Sequence, residues 1–117
     1  MKATAFIILM MTLAAFKPAE ETTLIGHWQN ENGTRSIEFY QTQAGIDGKI
    51  TEDENSLLEG KVVFKNLKFD GKAYHGTCFL PKRNRTIRCT LLLTSPNTVA
   101  ITGKMGMMSD TKVWKRK

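Results

Sequence analysis

Gly26-His27-Trp28-Gln29-Asn30-Glu31-Asn32-Gly33-Thr34-Arg35-Ser36-Ile37-Glu38-Phe39 is the stretch on which the fold turns. Asn-Gly is the strongest short hairpin signal, because both residues tolerate the positive φ of a type I′ turn. A two-residue loop at Asn32-Gly33 sets Trp28 opposite Ile37, Gly26 opposite Phe39 and His27 opposite Glu38. One face then carries Trp28, Ile37 and Phe39, with Gly26 leaving space for the Phe39 ring. The other face carries an opposite-charge pair. Register and alternation agree, so the segment reads as an amphipathic β-hairpin.

Downstream the same pattern repeats. Short β-branched and aromatic runs alternate with turn signals at intervals of roughly ten residues, the mark of an all-β meander. Strands are expected near 24–30, 35–42, 45–51, 61–69, 73–80, 86–94, 99–105 and 110–116. The turn signals include Gln43-Ala44, the acidic stretch Glu52–Glu59, Asp70-Gly71, Pro81–Arg85, Pro96-Asn97 and Gly106. Eight strands in so short a chain suit a single antiparallel up-and-down barrel, because closure leaves no open sheet edge.

The first nineteen residues stand apart. Lys2 precedes an unbroken apolar and small-residue run of fourteen residues, Ala3–Phe16, before charge returns at Lys17. A basic start followed by a brief apolar run describes a secretory signal peptide, too short to span a bilayer, for which about 20 residues are needed. The expected organisation is a leader at 1–19 and a barrel domain at 20–117, with a periplasmic or secreted location. Losing Lys2 and Lys17 leaves 98 residues with 15 basic and 11 acidic side chains, a net charge of +4. That balance falls short of a nucleic-acid-binding signature. Two basic clusters, Lys82/Arg83/Arg85/Arg88 and Lys112/Lys115/Arg116/Lys117, read as solvated edges, since charge on edge strands discourages sheet-to-sheet aggregation.

A four-residue loop at Lys82–Arg85 would put Leu80 across from Ile87 and Cys78 directly across from Cys89. At a non-hydrogen-bonded position the Cα atoms lie about 4.5 Å apart, the short edge of what a disulfide accepts. In an exported chain these two cysteines are expected to pair, two buried thiols being the alternative.

Little else carries chemistry. His27 alternates onto the outer face beside Glu38, and His75 has no Cys, Ser or second His at useful spacing. The acidic stretch lacks the spacing of a calcium loop, and no nucleophile elbow, phosphate loop or dinucleotide fingerprint occurs. Met105, Met107 and Met108 around Gly106 read as a Met-lined barrel end. The expectation is a non-enzymatic protein with no metal and no cofactor.

Leu24-Ile25-Gly26-His27-Trp28 is similar to the G-x-W motif of lipocalin-like barrels. From Gly26 through Arg116 the chain resembles DUF2147, a bacterial family of small exported proteins of unknown function. The matching features are G-x-W, Ser36–Tyr40, Gly48-Lys49-Ile50, Leu67–Gly71, Gly76-Thr77, Pro81, Cys89-x-Leu91-x-Leu93 and a closing Trp114-x-Arg116. The resemblance implies a lipocalin-like barrel and a location outside the cytoplasm. By the same analogy Arg116 covers the Trp28 indole and helps to close the barrel.

Two functions follow from a barrel of this kind. One is binding of a small apolar or amphipathic ligand on the inner face, at Trp28, Ile37, Phe39, Tyr74, Ile87 and Leu91, with Trp28 alternatively plugging the closed end. The other is an envelope protein-interaction module whose interior is filled by side chains. Neither involves nucleic acid or a membrane span, and the protein partner of the second is unspecified.

Overall fold

A computed structural model describes residues 23–117. The leader expected at 1–19 lies outside the described residues. Eight antiparallel strands follow in chain order: β1 (Gly26–Asn30), β2 (Arg35–Gln41), β3 (Ile46–Asp53), β4 (Val62–Phe69), β5 (Tyr74–Leu80), β6 (Arg85–Ser95), β7 (Thr98–Met105) and β8 (Met108–Arg116). Each pairs with its sequence neighbour, and β8 pairs with β1, so the sheet closes into an up-and-down barrel. All eight expected strands are present, within about two residues at each end. The acidic connection between β3 and β4 holds one 3₁₀ turn, Ser56–Leu58, capped by the Asn55 side chain.

The β1–β2 register is the expected one: Gly26↔Phe39, His27↔Glu38 and Trp28↔Ile37. The turn joining the strands is not type I′. Gly33 has φ 73°, whereas Asn32 is not among the residues with positive φ. Instead the Asn30 side chain bridges the turn, accepting from the Arg35 N–H and donating to Thr34 Oγ1. A longer loop with the same centre preserves the register, which is why the facing residues came out right although the turn type did not.

Gly26 also has a different task. A Cβ there would sit 2.9 Å from Arg116 Nη1, and φ is +130°, so this glycine makes room for the arginine rather than for Phe39. Gly48 accommodates the ring, since a Cβ would lie 2.7 Å from Phe39 Cε1. Phe39 and Phe64, partners of Gly48 on the two flanking strands, meet over it with centroids 5.2 Å apart.

The second hairpin departs from expectation by two residues. Its loop is Pro81–Asn84, with Asn84 in the left-handed region (φ 51°), so Leu80 faces Arg85, Cys78 faces Ile87 and Cys89 faces Gly76. Because side chains alternate with period two, this slip leaves every residue on its expected face and changes only its opposite number. The expected disulfide is therefore corrected: the two cysteines sit diagonally, not opposite, and both are free thiols.

The outward positions are largely polar, as in His27, Glu38, Lys49, Thr77, Arg88, Thr102 and Lys115. Among the described residues no helix is long and apolar enough to cross a membrane.

Candidate functional site

The barrel has two unlike ends. One gathers the chain from Thr23, the C-terminus, and the β2–β3, β4–β5 and β6–β7 turns. There Leu24, Trp28, Phe39, Ile50, Leu67, Leu91 and Val99 are sealed from solvent. Leu24 caps this end: its carbonyl accepts from the Trp28 indole N–H at 2.9 Å, and its N–H donates to the Tyr74 hydroxyl at 3.4 Å. Arg116 clamps the cap. Its guanidinium stacks 4.3 Å from the centroid of the Trp28 ring and donates to the carbonyls of Pro96, Ile25 and Thr23 at 2.8–3.0 Å. A planar fork can make all three bonds while stacking, which a lysine cannot.

The other end gathers the β1–β2, β3–β4, β5–β6 and β7–β8 turns around a cavity of about 860 Å³. Its walls include Ile37, Val63, Phe64, Cys89, Ile101 and Trp114, all buried, with Leu80, Ile87 and Met105 half-buried nearer the mouth. Met105 and Met108 form one lip, in line with the expected Met-lined end.

Charged side chains enter the mouth on the inward-facing rows. Arg35 Nε donates to Asp53 Oδ1 at 2.5 Å, with side chains only 24% and 9% exposed. Burial pushes the Asp53 carboxyl up, but bonds from Arg35 and the Asn55 N–H, with the charges of Arg35 and Lys82, outweigh it and hold the group below its ordinary value. On β8, two strands from β2, Asp110 and Lys112 pair at 3.6 Å, exposed, on the same face of the strand as Trp114. Burial pushes the Cys78 thiol up to about 11 and the Cys89 thiol to about 12, Cys78 also raising its neighbour. Both thiols are protonated at neutral pH and poor nucleophiles.

Of the six inner-face residues expected at a ligand site, the cavity takes in Ile37 and Ile87. Trp28, Phe39 and Leu91 pack into the solid end, and Tyr74 lies there too, beside a shallow depression shared with Ile46, Leu67 and Phe69. Facing inward and lining a cavity are different properties, because strands tilt around a barrel. The register chain Phe39–Gly48–Phe64–Cys78–Ile87 shows this, running from the sealed end on β2 to the mouth on β6. Arg35, Phe64, Asp110, Lys112 and Trp114 were missed as site residues. For β8 the signal was available, since Met108, Asp110, Lys112 and Trp114 share one parity.

His75 does acquire partners. Its Nε2 lies 2.7 Å from Asp70 Oδ2 and its Nδ1 3.3 Å from Thr90 Oγ1. Asp70 also accepts from the N–H groups of Lys72 and Ala73, which organises the β4–β5 turn and holds its carboxyl down to about 2. Neither cavity reaches these residues, so the trio reads as a turn device on the outer surface. Among the described residues no three His, Cys, Asp or Glu side chains group to hold a metal.

A family model described as "Uncharacterized protein conserved in bacteria (DUF2147)" matches residues 26–116. Among solved structures, protein HP1028 from the human pathogen Helicobacter pylori, reported to belong to the lipocalin family, is similar in fold. The TM-score is 0.67 at 20% identity, covering 81% of this chain and 83% of that one. No curated protein sequence matches.

Proposed function

The chain belongs to the bacterial family DUF2147, and we propose that within it this protein is an exported, non-enzymatic barrel that holds a small amphipathic molecule in its open end. One observation carries the reading: a cavity of about 860 Å³ with an apolar floor and charged pairs at its mouth. The volume falls within the range of about 300–1,000 Å³ typical of ligand pockets. An apolar body would rest on Ile37, Phe64, Ile101 and Trp114. Its polar end would exchange bonds with Arg35–Asp53 or Asp110–Lys112. A barrel plugged along its whole length would favour an interaction module, but the plugging is confined to one end.

Titration with 1-anilinonaphthalene-8-sulfonate and a fluorescent fatty acid tests the proposal. The wild type should bind at least one of them saturably at one site, with the emission of Trp114 responding. Met105→Trp, which narrows the mouth, should weaken binding clearly, and Tyr74→Phe at the sealed end should not. Absence of saturable binding, or equal binding by the wild type and Met105→Trp, would refute the site.

A further inference from the structure

The lips of the mouth differ in charge. From Leu80 to Lys112 the chain carries Lys82, Arg83, Arg85, Arg88, Lys104 and Lys112 against a single acid, Asp110, which pairs with Lys112. The neighbouring β3–β4 connection carries Glu52, Asp53, Glu54 and Glu59, of which Glu52 pairs with Lys117 and Asp53 with Arg35. Among the described residues, Lys82, Arg83, Arg85, Arg88 and Lys104 make no ion pair within 4.0 Å. Arg88 and Lys104 are directly opposed across β6 and β7, both exposed, an arrangement that costs stability. Protection of a sheet edge does not explain it, because these strands are interior to a closed barrel.

An apolar knob accompanies the cations. Met107, at the tip of the β7–β8 turn, is 104% exposed, and the adjoining Met108 is 71% exposed. Continuing the Arg88↔Lys104 register by three residues brings Met107 level with Arg85, so knob and cations share one lip.

We propose that this lip is a docking surface for an anionic phospholipid bilayer. Methionine enters the headgroup region, and the surrounding Lys and Arg side chains meet lipid phosphates. Glu54 and Glu59, which make no ion pair among the described residues, are repelled by the same surface, so the mouth meets the membrane tilted toward the β7–β8 turn. The inference rests on the cavity reading for its purpose, since a barrel docked this way takes an amphipathic ligand from the bilayer or returns it there. The docking surface itself does not depend on the cavity.

Vesicle flotation tests it, using protein expressed from its full sequence and purified as the cell releases it. Vesicles of phosphatidylcholine alone are compared with vesicles containing three parts in ten of phosphatidylglycerol. The wild type should float with the anionic vesicles only, and lose binding as salt is raised. Arg85→Glu combined with Arg88→Glu should lower partitioning by at least about tenfold. In that variant the carboxylate introduced at position 88 faces Lys104, so the unfolding midpoint should not fall, which separates lost docking from lost folding. Met107→Asp should also weaken partitioning with its melting curve unchanged. Equal flotation with both vesicle types, none with either, or indifference to these substitutions would overturn the proposal. So would equal binding to soluble polyglutamate that ignores Met107→Asp, since the lip would then read acidic polymers. Probe titration of the cavity is a separate readout, so failure of docking and failure of ligand binding are distinguishable.

Discussion

On β6 alone, Leu91 is sealed from solvent while Ile87, four residues and about 13 Å along the strand, faces an open cavity. The same contrast divides the whole barrel. Toward Leu24 the interior is packed by Trp28, Phe39, Ile50 and Leu67, with the Trp28 indole capped by Leu24 and clamped by Arg116. Toward Met105 the inward side chains line a cavity instead of filling it, and charged pairs stand at its mouth. One end is packed shut, and the other leaves space.

Truncating one inward side chain at each end puts this contrast to its most severe test. Phe39→Ala removes a sealed ring that packs on Phe64 and Gly48, and should cost about 3–5 kcal/mol in urea denaturation. Ile87→Ala removes a half-exposed wall of the cavity and should cost about 1–2 kcal/mol. Similar losses at the two sites would mean that the open end is packed as tightly as the closed one.

The clamp is the next test. Arg116→Ala gives up the stacking on Trp28 and three bonds to carbonyls that close the seam, for a loss of about 2 kcal/mol. Arg116→Lys should recover only part of it, because a point charge lacks the fork. Lys112→Ala, in an exposed pair at the mouth, should leave the unfolding midpoint unchanged. If Arg116→Ala is as silent as Lys112→Ala, the clamp contributes nothing.

The smallest effects separate the ends by pH. At the closed end, Asp70 titrates near 2 when folded and near 3.8 as a free side chain. Its contribution is present above pH 4 and disappears as pH falls toward 2. In the cavity, Cys78 and Cys89 titrate near 11 and 12 against 9.0 for a free thiol. Their contribution is whole below pH 9 and is lost as pH rises through 11 and 12. Asp70→Asn should flatten the acid limb of a stability–pH curve and leave the alkaline limb. Cys78→Ala with Cys89→Ala should do the reverse. A variant that flattens the wrong limb would show that the two ends are not energetically separate.

Much of this was legible beforehand. Alternation named the inward residues of β1, β2, β5 and β6 correctly, because side-chain parity is a local property that survives a change of turn type or a slip of two residues. That is why Trp28, Ile37 and Phe39 share a face although the turn at Asn32 differs from expectation. It is also why Cys78 and Cys89 share one although they are not opposed. The sequence alone therefore determined an all-β chain of eight strands, which side of β1, β2, β5 and β6 is wet, and the family. Depth was decided only in three dimensions. Strand tilt carries a single register chain from Phe39 in the sealed end to Ile87 at the mouth, so residues of equal parity meet either packed rings or empty space. The same closure brought Arg116 onto Trp28 across the seam, and the carbonyls of Thr23 and Ile25 within reach of its guanidinium. No local pattern encodes these meetings, because each depends on how far the sheet has turned before it closes on itself.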